Sequence, residues 1–104
     1  MNVYDAVRTR STVRSFKPNA AVAKIMVSAR VAPSSRNLQP WHFVVIRDKA
    51  VLAKIDGIAT SGRFVADAPM AIAVVMKRAD RPELDAGRTV QQMELVAWSE
   101  GMGT

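Results

Sequence analysis

The chain has 104 residues, 49% of them hydrophobic, and a net charge of +6, so we expect one domain over 1–104 with a modest core. Cysteine is absent, which excludes disulfide bonds, thiolate metal sites and a cysteine nucleophile, and is compatible with a reducing cytoplasm. The longest apolar run, "APMAIAVVM", is too short to span a bilayer, and no secretory signal is readable, so we expect a soluble cytoplasmic protein without a membrane partner.

Basic residues cluster in the segment 8–17 and are spread singly along the rest of the chain. A groove for nucleic acid would need aromatic side chains between the basic ones, and only Tyr4 and Phe16 lie near them. A phosphate site for a small molecule needs only a few charges and hydroxyl donors, and the stretch "RSTVR" contains that set. We therefore expect a small-molecule phosphate and no nucleic acid, while a solvated basic surface stays open as the alternative.

The first two predicted elements are helices. Asn2 is placed to cap the first, with Asp5 as the reciprocal acid of a capping box, and this helix runs to about Thr9. The hydroxyl and β-branched residues that follow favour leaving the helical conformation. A second helix is predicted within 20–32, where apolar residues recur at helical spacing until Pro33 stops it.

Two strands and a helix follow. The stretch "HFVVIR", at 42–47, contains four successive apolar residues between a proline and Asp48, which predicts a buried strand. Asp48 is then placed to cap a helix whose apolar positions include Leu52 and Ile58. A second strand is predicted near 69–77. Because its apolar run does not alternate with polar residues, we expect this strand to be covered on both faces.

The last predicted element is a helix in the stretch "LDAGRTVQQMELVAWSEGMGT". Val90 and Met93 belong to its apolar positions, and Gly101 supplies a C-terminal stop. We expect the methionines here to fill the core rather than to take part in chemistry. Asp85 is predicted to be an N-cap, and Asp67 is predicted to be a turn residue.

The connection between the second helix and the first strand is rich in small and amide-bearing side chains. It reads "APSSRNLQPWHF", at 32–43, and contains two prolines, two serines, an asparagine and a glutamine between two apolar runs. Such residues are typical of tight turns, since proline presets φ and serine or asparagine side chains bond nearby backbone. An ordinary helix-to-strand connection is one interpretation, and a loop that contacts a ligand is the other.

Four phrases, in order along the chain, resemble the FMN-dependent nitroreductase superfamily. They are "RTRSTVRSF", "ARVAPSSRNLQPWHFVV", "FVADAPMAIAVV" and "LDAGRTVQQMELVAWSEGMGT", and they span essentially the whole chain. The resemblance implies an α+β fold, in which helices surround a small central mixed sheet that is incomplete here and is completed by dimerisation. Because family members are usually longer, it also implies a single nitroreductase-like domain that is truncated at its C-terminal end.

The resemblance further implies where a flavin would bind. In this family FMN lies at the interface of a homodimer, and the loop after the second helix approaches the cofactor that is bound mainly by the other subunit. This role carries over to four loop residues, namely Pro33, Ser34, Ser35 and Asn37. Asn37 would offer the cofactor both a donor and an acceptor, and the serines would let backbone and hydroxyls come close to it.

The basic phrase matches the family positions that hold the FMN phosphate and ribityl chain. The matching residues are Arg10, Ser11, Thr12 and Arg14. A guanidinium can grip phosphate oxygens bidentately, and hydroxyls complete the shell. For each residue alone, surface charge or polarity remains the alternative. His42, the only histidine, has no partner at metal or acid–base spacing, so we interpret it as structural and predict no metal ligands.

The activity that the resemblance implies is a ping-pong oxidoreductase reaction. NADH or NADPH would deliver hydride to the flavin, and the reduced flavin would pass electrons to a small-molecule acceptor such as a nitroaromatic or a quinone. No catalytic side chain is predicted, because the cofactor performs the chemistry. Two alternatives stay open, a flavin-binding or storage module without turnover and a truncated, non-catalytic interaction domain.

Overall fold

The computed structural model describes residues 1–13, 22–60, 64–78 and 80–104. In chain order, the elements are α1 (Val3–Thr9), α2 (Ala23–Arg30), β1 (Trp41–Ile46), α3 (Lys49–Ile58), β2 (Ala71–Met76) and α4 (Pro82–Ser99). Single 3-10 turns lie at Ser35–Asn37 and Val65–Asp67. Within these described ranges, no helix has both the length and the apolarity that a bilayer crossing requires.

The helix ends follow the predicted capping chemistry. Asn2 Oδ1 accepts a hydrogen bond from the backbone N–H of Asp5 at 2.8 Å and begins α1. Asp48 Oδ1 accepts from the N–H of Ala50 at 2.8 Å and begins α3 in the same way. Gly101 has φ +79°, a left-handed conformation that suits glycine, and the chain leaves α4 at that point. The sequence therefore predicted these ends correctly.

The core lies where α2 packs along α4. Ile25 and Ala29 of α2 form one buried cluster with Met93 and Ala97 of α4, and each pair has the i, i+4 spacing that shares a helix face. The partly buried side chains packed against this cluster include Phe43 of β1, Ile72 and Val74 of β2, Val90, Val96 and Met102. Met93 thus fills the core, as predicted.

An ion pair joins the N-terminal end of α2 to the C-terminal end of α4. Lys24 Nζ donates to Glu100 Oε1 at 2.8 Å. This hydrogen bond and the charge of Glu100 raise the pKa of Lys24 above its ordinary value. The link therefore persists at neutral pH. It would weaken in strongly alkaline solution, as pH rises through the raised pKa of Lys24.

The strands form an antiparallel pair in which Trp41 lies opposite Met76 and Ile46 lies opposite Ala71. A mixed sheet was expected, and it would contain parallel strand pairs as well. The described residues form no parallel pair. The expectations that β1 is buried and that β2 is covered on both faces are wrong. Val44 is 48% exposed and Val75 is 51% exposed. The helices that the structure describes pack on one face of the pair, whereas a uniformly apolar sequence predicts cover on two.

Two further expectations need correction. Ile58, placed on the apolar face of α3, is 83% exposed, although Leu52 on that helix is fully buried. Asp85 is not an N-cap, because α4 begins at Pro82 with Arg81 as its N-cap, which leaves Asp85 inside the helix. Proline is favoured at the first helical position, so it moved the start toward the N-terminus. Asp67 lies in a 3-10 turn, as predicted.

We expect Met93→Ala to lower the free energy of unfolding by about 2–5 kcal/mol, because it leaves a cavity between α2 and α4. Leu84→Ala is the matched control on the same helix, since Leu84 is 43% exposed, and it should change stability by less than about 0.5 kcal/mol. Denaturant unfolding followed by circular dichroism measures both. Equal losses would contradict the assignment of the core.

Candidate functional site

The loop between α2 and β1 is closed by its own hydrogen bonds. Ser34 Oγ accepts from the N–H of Gln39 at 2.9 Å, and the Ser34 carbonyl accepts from the N–H of Asn37 at 3.0 Å. The carbonyl of Ser35 accepts from the N–H of Leu38 at 3.2 Å. Ser34, predicted to approach a flavin, thus uses its hydroxyl to hold the loop. We call residues 34–39 the site loop.

The site loop holds three non-glycine residues in the left-handed backbone region. Arg36 has φ +55°, Asn37 has φ +54° and Gln39 has φ +50°. Each such residue costs about 1–2 kcal/mol for an ordinary side chain, and asparagine tolerates it best. Asn37 is exposed, and its side chain makes no hydrogen bond to the described part of the chain. The loop therefore presents a free carboxamide from a strained but hydrogen-bonded backbone.

The loop is attached to α4 through a buried carboxylate. Asp85 Oδ1 accepts from the backbone N–H of Ser35 at 3.0 Å and from Ser35 Oγ at 3.2 Å. Asp85 is fully buried. The guanidinium of Arg88 lies 3.8 Å from the same oxygen, and that side chain is 42% exposed. The hydroxyl and the N–H of Ser35 therefore both point to α4.

Sequence reasoning missed this role of Asp85, although a signal for it existed. Asp85, Thr89, Met93 and Ala97 recur at four-residue spacing, and all four are buried. Met93 was among the predicted apolar positions of this helix, and steps of four residues from Met93 toward the N-terminus reach Thr89 and then the carboxylate of Asp85. A carboxylate on a buried helix face needs a donor from another element, and the small hydroxyl residues of the preceding loop were the candidates.

The second candidate segment follows α1 directly. Arg10 Nη1 lies 3.3 Å from Glu94 Oε2, and both side chains are 29% exposed. One residue earlier, Thr9 Oγ1 accepts from Trp98 Nε1 at 2.9 Å. Both contacts tie the end of α1 to the second half of α4. The predicted phosphate residue Arg10 is therefore held in place by a carboxylate that sequence reasoning did not identify.

The remaining predicted residues of this segment are open to solvent. Ser11 and Thr12 are exposed, and neither makes a side-chain hydrogen bond to the residues that the structure describes. Arg14 lies outside the described residues. Pro33, at the start of the loop, is exposed as well. Two hydroxyls beside a held guanidinium are donors of the kind that a phosphate needs.

The two predicted halves of the site lie on opposite sides of α4. Glu94 follows Asp85 by about two and a half turns, or about 13 Å along the axis, which places it about 180° around the helix. The contacts agree with this geometry. The face of Asp85 continues through Thr89, which bonds to α2, whereas Trp98, beside Glu94, contacts α1. The structure therefore does not bring Arg10 and the site loop together within one chain.

Two grooves border these segments. The larger, about 830 Å³, lies along β2 and the end of α4, and its apolar wall includes Ile72 and Met102. None of the predicted site residues within the described ranges lines it. A second groove, about 490 Å³, adjoins the end of the site loop, with Gln39, exposed His42 and Arg30 on its walls. The same described ranges contain no cluster of acidic residues and histidine that could hold a metal ion.

The chain is similar in sequence to known proteins. The model of the Nitroreductase family matches residues 7–79. A protein of Methanothermobacter thermautotrophicus named "Putative NADH dehydrogenase/NAD(P)H nitroreductase" is 37% identical over 78 residues, which are 71% of this chain and 41% of that protein. The match therefore spans less than half the length of this relative.

Solved structures share the fold. The FMN-dependent nitroreductase of Clostridium difficile R20291 has a TM-score of 0.90 at 29% identity, over 96% of this chain and 62% of that chain. A nitroreductase family protein of Clostridium novyi NT has a TM-score of 0.85 at 22% identity, over 99% of this chain and 67% of that chain. These comparisons confirm the predicted α+β nitroreductase fold, of which this chain forms a part.

The match of the family model includes the phosphate candidates after α1 and the whole site loop. The structural match to the C. difficile protein covers 96% of this chain, so it also includes nearly all of α4. This helix makes the contacts to both segments. The family that the sequence resembles is thus confirmed by two independent comparisons. The chain belongs to the Nitroreductase family.

Proposed function

We propose that this chain forms the flavin-binding part of an FMN-dependent NAD(P)H oxidoreductase. The observation that carries the proposal is the site loop, which presents the free carboxamide of Asn37 from a left-handed backbone that internal hydrogen bonds hold. The similar C. difficile protein is an FMN-dependent nitroreductase, and the M. thermautotrophicus relative is named for NAD(P)H. FMN supplies the redox chemistry, so the side chains need only bind and orient it.

The reaction that we propose has two halves and a ping-pong order. NADH or NADPH is the hydride donor, and a nitroaromatic, a quinone or a similar small molecule is the electron acceptor. The described residues fit a cofactor role, because the site offers polar groups for binding and needs no acid–base pair. We further propose that the chain acts as a single cytoplasmic domain.

The residues after α1 are the proposed phosphate shell, and they are Arg10, Ser11, Thr12 and Arg14. Arg10 is half-buried against Glu94, so its guanidinium is ordered before a ligand arrives. A preordered guanidinium loses less side-chain entropy when it binds phosphate oxygens. Ser11 and Thr12 are exposed, which leaves both hydroxyls available as donors.

The site loop is the proposed contact to the flavin ring. Asn37 can donate to and accept from a ring edge through its free carboxamide. Pro33, Ser34 and Ser35 belong to the same proposed flavin contact. The sequence suggested that the two serine hydroxyls approach the flavin, whereas in the structure they make hydrogen bonds within the protein. Their hydroxyls shape the loop, and their backbone can come close to the cofactor.

We propose that the working unit is a homodimer with the flavin between the chains. The supporting observation is that Arg10 and the site loop contact opposite faces of α4, about 13 Å apart along its axis. A single flavin would then take its phosphate shell from one chain and its loop from the other. Val44 and Val75 are exposed on one sheet face, which gives a second chain an apolar surface to cover.

A binding function without turnover is the alternative. The chain spans 62% of the FMN-dependent C. difficile protein and 41% of the M. thermautotrophicus relative, so its residues correspond to only part of those proteins. Under this alternative the chain would store or bind flavin, or would serve as a non-catalytic interaction domain. The two readings differ in whether a nicotinamide reduces the bound flavin.

The first test is an absorbance spectrum of the 104-residue chain after incubation with FMN and desalting. We expect a retained flavin spectrum that bleaches on anaerobic addition of NADH or NADPH. Flavin that is retained but stays oxidised would favour the binding alternative. A colourless protein would refute the proposed function.

Arg10→Ala should weaken FMN binding about 10- to 100-fold, because charge-assisted hydrogen bonds to phosphate are lost. Riboflavin lacks the phosphate, so its affinity should change less than about threefold. Arg8→Ala is the matched control, since Arg8 is exposed and its nearest carboxylate, Asp5, is 3.9 Å away. Fluorescence titration measures both ligands. Equal losses for FMN and riboflavin would contradict a phosphate role for Arg10.

Mixing two defective variants tests the shared site. Arg10→Ala and Asn37→Ala should each bind FMN poorly alone. After subunit exchange, a dimer with one chain of each kind has one intact site, so about a quarter of all sites should bind normally. Flavin retained after desalting measures that fraction. No recovery, in a mixture whose subunit exchange is verified by differently tagged chains, would place the whole site within one chain.

A further inference from the structure

We propose that Asp85 is a positioning residue, which holds the site loop in the conformation that meets the flavin. The inference deepens the proposed function and rests on it. Asp85 lies on α4, and it reaches the loop through Ser35. It acts on the cofactor through that loop and takes no part in the chemistry.

The contacts make Asp85 a two-point anchor. Its Oδ1 accepts from both donors of Ser35, the backbone N–H at 3.0 Å and the hydroxyl at 3.2 Å. A backbone donor fixes the position of the chain itself, not only of a side chain. The carbonyl of Ser35 accepts from the N–H of Leu38, so the anchored residue also closes the loop. Asp85 Oδ1 therefore sets the orientation of the peptide between Ser34 and Ser35, two residues before Asn37.

Stability alone does not account for a carboxylate at this position. Asp85 is fully buried, and its Oδ2 has no hydrogen-bond partner among the described residues. The guanidinium of Arg88 lies 3.8 Å from Oδ1, beyond hydrogen-bond distance. A buried carboxylate that lacks a full set of partners is destabilising, and an apolar side chain would suit the buried face better. What the carboxylate provides instead is the attachment of the loop.

The strain in the loop requires such an attachment. Arg36, Asn37 and Gln39 all have positive φ, a conformation that persists only when the surroundings over-determine it. The other described side-chain link from this loop to a distant residue joins Arg36 to Asp80 at 3.4 Å, and those side chains are 79% and 57% exposed. An exposed ion pair constrains a backbone weakly. Asp85 is thus the buried anchor of the loop within the described structure.

Asp85 also connects the loop to a rigid frame. It occupies the same face of α4 as Thr89, whose Oγ1 donates to the Ala29 carbonyl of α2 at 2.8 Å. The site loop leaves α2 shortly after that point. The packing of α2 on α4 therefore fixes both Asp85 and the start of the loop, and this determines where the loop lies.

The test compares three variants of the chain. Asp85→Ala removes both bonds to Ser35. Asp85→Asn keeps an acceptor oxygen of the same shape and is the conservative rescue. Thr89→Val is the matched control, because it also removes a hydrogen bond from a fully buried residue on the same helix face, but one directed at α2. The readouts are amide hydrogen exchange of Ser35, Asn37 and Leu38 without flavin, and FMN affinity by fluorescence titration.

Asp85→Ala should accelerate exchange of the three loop amides at least about tenfold and weaken FMN binding about 10- to 100-fold, since fewer molecules hold the competent loop. Asp85→Asn should stay within about threefold of the unaltered chain in both readouts, because its acceptor remains. Thr89→Val should leave loop exchange and FMN affinity within about twofold, even where it lowers the melting temperature, because Gln92 and the apolar cluster still hold the end of α2 against α4.

Several outcomes overturn the inference. Unchanged loop exchange in a folded Asp85→Ala variant would do so, as would equal effects of Asp85→Ala and Thr89→Val, or a failed rescue by Asp85→Asn. If Asp85→Ala does not fold, Asp85→Leu replaces it, since it also removes both bonds to Ser35 and places an apolar side chain on the buried face. Unchanged exchange there would refute the anchor. Lack of FMN binding by the unaltered chain would refute the proposed function, while the exchange readout would still decide the role of Asp85.

Discussion

The contact between α2 and α4 is the interaction on which the rest of the described structure depends. Its polar part satisfies the C-terminal turn of α2, where helix carbonyls have no partner within the helix. Thr89 Oγ1 donates to the carbonyl of Ala29 at 2.8 Å, and Gln92 Nε2 donates to the carbonyl of Ser28 at 2.8 Å. Its apolar part includes Ala29 and Ala97, whose small side chains let the helices approach closely. The end of α2 is therefore fixed in position, and the site loop begins there.

Helix α4 organises the candidate site from both of its sides. On one face, side chains four residues apart reach the loop, the end of α2 and the core, through Asp85, Thr89 and Met93 in turn. On the opposite face, Glu94 and Trp98 hold the end of α1. The helix thus sets the distance between the phosphate candidates and the loop. In the proposed function, that separation is the reason why two chains are needed for each flavin.

Local chemistry predicted several helix ends correctly, whereas the burial of several apolar side chains was predicted wrongly. Asn2, Asp48 and Gly101 act within a few residues of themselves, so the sequence shows their effects directly. Burial is a different matter, because it depends on which elements cover a surface. Ile58 and Val75 are apolar at the right spacing and are nevertheless exposed, since no described element packs over them.

The sequence by itself determined several helix ends, the strands and the family, and it marked two segments as candidates for binding a flavin, because these follow from short-range chemistry and from a motif. Only the tertiary structure decided which partners those segments have. Ser35 is 50 residues from Asp85 in the chain, and no periodicity relates them. Arg10 and Glu94 are likewise brought together by the packing of α1 on α4. Hydrogen bonds and ion pairs act over a few ångströms of space, whatever the separation along the chain, so their pairing is a property of the fold.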